Sequence, residues 1–575
     1  MKSLSGLDAT FLYLETPEMP MHVGSLNLYE LPPGFKGSFY KAVFEHIGRR
    51  MHLAPIFSRK LAFMPFDLGH PLWVEADHVD LEYHLRKVKG VNLTVRQVEA
   101  MAARLHGQLI DRAHPLWEFY VFDSVRLDDG RKCAAFYSKV HHAALDGKGG
   151  MVLANAMLDV TPVPREVAPA DPSRKGRTRG DLKIGEMIGA VFSNSLAQYA
   201  KIAKSLPAAA SSLGGTMARQ SLTGSGAKMR PKLPVSLAPK TVFNAAITPN
   251  RVFATASIPF GECRTMAKAV GGSFNDIVLW ICSTALRTYL ARHASIPKKP
   301  MIAAMPVSLR EENNKELNNQ ASMSLVDLGT QYAHPVKRLN AIMASTGKVK
   351  DALVNLKSVL PTDYPSLLAP WIVGGVAKAA FKTYSATGLA ERLPMMANLA
   401  ISNVPGPQVP LYMAGAKMLT FHPLSIVTHG LALNITIQTY AGNVDFGVIA
   451  DKKAVPHVQD LADAIVAAFE EARKLYAMTN APVPAGATAA APRVVTPARA
   501  VAKATRSKTP VSKVTRKAPA SSTKAATVKT ATTAAKTPNA NGNQATRSAP
   551  SKAPARQPAT PQRKPAAAKP RTARA

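Results

Sequence analysis

Two adjacent histidines, His141 and His142, stand in "KVHHAALDGKGG" (139–150), directly after a strand-like apolar run and just ahead of Asp146. An imidazole with a pKa near ~6.5 is the side chain best matched to taking a proton from an alcohol at neutral pH. For that work the ring has to be oriented and its tautomer fixed. Gly147, Gly149 and Gly150 give the backbone latitude to turn from a strand into a helix "GMVLANAML". The histidines are therefore expected at a strand end, facing a cleft. Asp146 is awkwardly placed for a direct carboxylate-to-imidazole relay across that turn and reads as a scaffold anion paired with an arginine. A serine nucleophile would want G-x-S-x-G, which is lacking, and no H-E-x-x-H or carboxylate cluster offers a metal site. No metal is expected. An HH pair taken alone is also compatible with a purely structural role.

The elements that must position these residues show in the hydrophobic pattern. "PLWEFYVFDSV" (115–125) and "RKCAAFYSKV" (131–140) read as strands, the second running into the histidines. From Pro162 to about residue 250 the composition shifts to Pro, Ser, Gly, Lys and Arg, as expected of a long crossover between two halves. Within it, Ile184, Met187, Ile188, Val191, Phe192, Leu196, Tyr199 and Ile202 recur at helical spacing. That greasy face either packs on the body or anchors on anionic lipid. Beyond 250 a helix "NDIVLWICSTALRTYLARH", strands "MIAAMPVSL", "ASMSLVDL", "ALNITIQTY" and "VDFGVIA", and a closing helix "VQDLADAIVAAFEEARKLYAM" are expected. The organisation is thus a first lobe (1–160), a crossover (161–250), a second lobe (251–478) and a tail (479–575), of α/β or α+β class.

With 46% hydrophobic and 19% charged residues, the bulk of the chain is globular, neither disordered nor a membrane bundle. The formal charge of +35 overstates the body, because nineteen Lys and Arg lie after residue 480, with no Asp or Glu, which leaves +16 on the first 480 residues. The tail cannot bury enough surface to fold. It is either a solvated appendage with loose polyanion contact or a specific nucleic-acid or membrane contact, without aromatic residues for base stacking. Cys133, Cys263 and Cys282 lack CxxC spacing, so neither a disulfide framework nor zinc is expected, and a reducing, cytoplasmic compartment is the default. No secretory signal and no spanning helix are expected; the longest apolar stretch, "LLAPWIVGGVAKAAF", is broken by Pro370 and Lys378.

His141, His142, Asp146 and Gly147 match HHxxxDG of the acyl-CoA-dependent acyltransferase superfamily, shared with peptide-synthetase condensation domains. From "LSGLDATFLYLET" to "VPHVQDLADAI" the chain further resembles the bacterial wax ester synthase/diacylglycerol acyltransferase family. Four more motifs carry that likeness: "HPLWEFYVF" (114–122), "GGSFNDIVL" (271–279), "ISNVPGP" (401–407) and "LALNITIQTYAGNVDFGVIAD" (431–451).

The resemblance implies two similar chloramphenicol-acetyltransferase-like lobes, each a mixed sheet flanked by helices, meeting at a channel. It implies that His142 is the general base, with His141 supporting, and that Asn275 orients the histidine or donates to the oxyanion. Asn275 and Asp276 open a helix, where capping is a sufficient reason for either. Asp276, Ser402 and Asn403 are candidate substrate contacts, the last two expected on a rigid loop around two prolines. By similarity Arg310 is the partner of Asp146, though a strand-end charge explains it equally. The sequence departs from the family at "LNNQASMSL", where Asn318 and Gln320 replace a usual glycine and arginine, which puts the acyl-channel shape in doubt.

The implied substrates are acyl-CoA, as co-substrate with no further cofactor, and diacylglycerol or a long-chain alcohol. The implied location is cytoplasmic, peripheral to the inner membrane or lipid droplets. A condensation or acetyltransferase-like enzyme on another acceptor, and an idle lipid-droplet or nucleic-acid coat, are the alternatives.

Overall fold

The computed structural model describes residues 2–63, 70–145, 149–171, 237–308, 321–357 and 395–479. The first half contributes strands β1 (Lys2–Ser3), β2 (His22–Glu30), β3 (Arg59–Ala62), β4 (Leu72–Glu75), β5 (Leu85–Lys87), β6 (Leu93–Thr94), β7 (Trp117–Arg126) and β8 (Lys132–His141). The second half contributes β9 (Arg251–Pro259), β10 (Ile302–Ser308), β11 (Ala321–Asp327), β12 (Leu399–Val404), β13 (Tyr412–Met413), β14 (Ala416–Leu424), β15 (Leu433–Tyr440) and β16 (Asn443–Asp451).

β7 and β8 are aromatic-rich runs buried on both faces, which suits central strands. One face packs on helix Phe39–Gly48 around Trp117, Phe119 and Phe136; the other faces helix Val95–His106 and the second half of the chain around Tyr120, Phe122 and Tyr137. The second sheet, in the order β11-β10-β12-β15-β16-β9, is parallel through β10, β12 and β15 and antiparallel elsewhere. Helix Phe274–His293 is apolar nearly all round because it is covered by that sheet and by helix Val458–Thr479.

The first sheet is not built from the first lobe alone. Its order is β13-β14-β2-β8-β7-β5, with β6 also on β7, so two strands from the region assigned to the second lobe close its edge. β14 runs antiparallel to β2 across Lys417↔Glu30 to Leu424↔Gly24. The crossing is fastened to the second sheet by Asp445, which accepts Phe421 N–H at 2.8 Å and the Ser257 hydroxyl at 2.6 Å. Gly447 allows it: a Cβ there would sit 1.7 Å from the Pro423 carbonyl oxygen. The described residues accordingly fall in one compact unit, Met1–Ala487.

All three cysteines are buried free thiols. No single described helix is long and apolar enough to cross a bilayer. The expected crossover helix (184–202), Asn318, Gln320 and the tail beyond 479 lie outside the described residues.

Candidate active site

Strand β8 ends at His141, and His142–Ala144 form one tight 3-10 turn. In the ladder with β2, His141 stands opposite His22, and the two rings meet edge to face at 5.8 Å. Close approach of the strands at this end depends on Gly24, where a Cβ would lie 1.9 Å from the Ser138 carbonyl oxygen. On the other side, Leu116 of "HPLWEFYVF" accepts the His141 backbone N–H at 3.0 Å, and the buried Trp117 donates its indole N–H to the Phe57 carbonyl at 3.2 Å. That motif walls the histidine turn.

The two imidazoles live in different surroundings. His141 is fully buried, its Nδ1 accepts the Ala143 N–H at 3.1 Å, and its Nε2 faces Glu15 Oε1 at 3.3 Å. His142 is half-buried; its backbone N–H goes to the Met21 carbonyl at 2.8 Å, and its ring stacks on Phe11 at 3.9 Å and 17°. Nδ1 of His142 is buried and has no hydrogen-bond partner, and no described carboxylate pairs with the ring. Burial, helped by the neighbouring His141, pushes its pKa down to about 4. The ring is therefore uncharged at neutral pH and has a lone pair to offer. Phe11 is presented by helix Gly6–Leu14, which packs directly on the turn.

Sequence reasoning looked to Asp146 for the local anion and missed Glu15, Arg112 and His22. Glu15 follows an apolar helix and His22 opens a strand, so neither has a local pattern that marks it as polar machinery. Behind them, His106 meets the Tyr137 hydroxyl at 2.8 Å and the Ser425 carbonyl at 3.1 Å, while the buried Lys139 pairs with Glu118 at 2.9 Å. Among the described residues, no group of three or more His, Cys, Asp or Glu is arranged to hold a metal ion. Asp146, Gly147 and Arg310 lie outside the described residues.

In the second half, Asn275 Oδ1 accepts from Asn403 Nδ2 at 3.4 Å, so two of the expected residues meet. No hydrogen bond between described residues ties this amide pair to the histidine turn. Three expectations need correction here. The cap of helix Phe274–His293 is Ser273, whose hydroxyl accepts Asp276 N–H at 3.3 Å, and neither Asn275 nor Asp276 fills that position. Asp276 is buried, and its carboxylate is occupied by Ser273 N–H at 2.7 Å, the Ser273 hydroxyl at 2.7 Å and the Thr346 hydroxyl at 2.6 Å. Burial would raise its pKa, but those hydrogen bonds lower it, as fits a structural anion rather than a substrate contact.

The third correction concerns Ser402 and Asn403, which are not on a loop. They belong to β12 and pair in register with Thr436 and Ile437 of β15. The break comes after Val404, at Gly406, whose N–H donates to the Thr439 hydroxyl at 3.0 Å and where a Cβ would meet the Thr439 carbonyl oxygen at 2.2 Å.

A family model described as the wax ester synthase/diacylglycerol acyltransferase catalytic domain matches residues 4–278, and one described as the WS/DGAT C-terminal domain matches residues 317–473. A putative diacylglycerol O-acyltransferase of Mycobacterium tuberculosis is 34% identical over 475 residues, covering 81% of this chain and 98% of the relative. The O-acyltransferase WSD of Acinetobacter baylyi is 30% identical over 472 residues, covering 80% and 94%. Among solved structures, the wax ester synthase/diacylglycerol acyltransferase from Marinobacter aquaeolei VT8 superposes with a TM-score of 0.58 at 27% identity, covering 83% of this chain and 100% of that one. The histidine turn, its flanking motifs and these likenesses, which run the length of the folded body, agree: the chain is an acyltransferase that belongs to the wax ester synthase/diacylglycerol acyltransferase family.

Proposed function

We propose that the protein moves a long-chain acyl group from acyl-CoA to the hydroxyl of a diacylglycerol or a long-chain alcohol, with His142 as general base and with no cofactor or metal. The observation that carries this reading is the imidazole of His142, buried into its uncharged form, paired with no carboxylate among the described residues and held against Phe11 at a strand end. The acceptor O–H gives its proton to this ring as its oxygen attacks the thioester carbonyl. The tetrahedral oxyanion then collapses, the C–S bond breaks, and the departing thiolate takes the proton back from His142. The products are an ester and free CoA, and no acyl-enzyme forms. Asn403 holds the Asn275 carbonyl oxygen, which leaves the Asn275 amide N–H groups to serve the developing oxyanion. One such donor contributes about 3 kcal/mol.

We place the enzyme in the cytoplasm at the surface of the inner membrane or of lipid droplets; the substrates' apolar chains, and Met151 and Val152 exposed on the helix after the histidine turn, support contact with a lipid surface. Flotation with lipid vesicles tests that location. The reaction is tested with purified protein, labelled oleoyl-CoA, and diolein or hexadecanol. His142→Ala is expected to cost about 10² to 10⁴ in rate while the protein stays folded. A folded variant that keeps more than about a tenth of wild-type turnover would remove His142 from the base role.

A further inference from the structure

The carboxylate beside the first histidine comes from outside the motif. Glu15 is the C-cap residue of helix Gly6–Leu14 and is almost wholly buried. Its Oε1 accepts the Met21 N–H at 3.0 Å and faces Nε2 of His22 and Nε2 of His141, each at 3.3 Å. Its Oε2 takes Arg112 Nη2 at 2.8 Å and Nε at 3.2 Å, and Arg112 also donates to the Leu12 carbonyl at 2.7 Å. Burial would raise the Glu15 pKa, yet hydrogen bonds from His141 and His22 outweigh it and hold the group well below the usual carboxylate range. Glu15 is an anion.

Two structures hang on that anion. Because Nδ1 of His141 accepts the Ala143 N–H, a ring proton sits on Nε2, 3.3 Å from Glu15 Oε1. Meanwhile the helix that Glu15 closes carries Phe11, the ring on which His142 stacks. Met21, whose N–H reaches Glu15, gives its carbonyl to the His142 backbone N–H. The supports of both histidines thus converge on one carboxylate.

We propose that Glu15 is a positioning residue of the acyl-transfer site: held by Arg112, its carboxylate locks the His141 ring and the Phe11 helix and so sets where the His142 ring stands. This role rests on His142 acting as the base, as proposed above.

The test combines steady-state kinetics with hydrogen–deuterium exchange at the imidazole C2 position of His22, read by mass spectrometry across pH. Glu15→Gln is expected to lower kcat by about a hundredfold, the cost of a small misplacement of a reacting group, with the KM for acyl-CoA little changed. Glu15→Asp is expected to recover part of the loss. The exchange midpoint of His22 should move to lower pH in Glu15→Gln, because the anion favouring its charged form is gone. It should move to higher pH in Arg112→Gln, where the same carboxylate is no longer neutralised. Lys139, His106 and His141, the other titratable groups facing His22, are the same in every variant.

A folded Glu15→Gln enzyme with unchanged kcat, or a His22 midpoint that stays put in both variants, overturns the proposal. Should Glu15→Gln fail to fold, the lowered kcat and upward midpoint expected of Arg112→Gln decide alone. A wild-type protein that transfers acyl groups to no acceptor overturns the proposed reaction instead, and the exchange midpoints then still decide whether Glu15 anchors the histidines.

Discussion

As the proposed base, His142 gives the reaction a pH dependence that its sequence does not suggest. An exposed histidine titrates near ~6.5, but burial brings this one down to about 4. A base must be unprotonated to act, so activity is present above its pKa and is lost as pH falls through it. The acid limb of kcat/KM is therefore expected near 4, not near 6.5. Phe11→Ala, by opening the ring to water, should move that limb up toward the ordinary histidine value. A wild-type limb at 6.5 in the pH–rate profile would show that the ring is solvated in the working enzyme. Both nitrogens of the companion His141, by contrast, face protein groups.

Among the elements, helix Phe274–His293 shows how a candidate site residue can turn out to be structural. Asp276 and Ser273 form a reciprocal capping box, and Thr346 adds a hydrogen bond from helix Pro335–Lys357. Asp276→Ala should cost about 1 to 2 kcal/mol of stability, measured by denaturant unfolding, with little change in turnover. Lost turnover at an unchanged unfolding midpoint would return Asp276 to the substrate-binding set. The neighbouring Asn275 points the other way and meets Asn403 from β12. Two consecutive residues therefore divide between holding the helix and meeting β12.

For the molecule as a whole, the strand pair β13–β14 determines what can fold alone. A fragment ending before β9 keeps β8 but lacks β14, the other partner of β2, leaving an edge with unpaired backbone groups. Expressed by itself, residues 1–236 should aggregate or unfold without a cooperative transition in circular dichroism. A soluble fragment with a sharp transition would show that the first sheet does not need β14. The basic tail is expected to behave in the opposite way. A chain ending at Thr479 should match the full chain in turnover on detergent-dispersed substrate and lose only salt-sensitive retention on anionic vesicles or DNA. A folded but inactive truncation would give the tail a part in the mechanism.

The elements that carry the histidine turn and the Asn275 helix were legible because their signals are local. The HHxxxDG string, the strand "RKCAAFYSKV" and the helix "NDIVLWICSTALRTYLARH" each carry their pattern within a few turns of chain, and β8 and helix Phe274–His293 run along the last two of those patterns. The expected loop at Ser402 and Asn403 failed for a local reason too: the turn signal of Pro405 and Gly406 acts after the strand, and pairing with β15 holds the residues before it. What the sequence by itself determined is the family, the order of the elements and the identity of the paired histidines. Only the tertiary structure decided which carboxylate faces His141, which ring covers His142 and which strands close the first sheet. Glu15, Arg112 and His141 meet across long stretches of chain, as do β2 and β14. Such pairings leave no periodicity in either partner's neighbourhood, because backbone folding, rather than spacing along the chain, brings the charges within a few ångströms of one another.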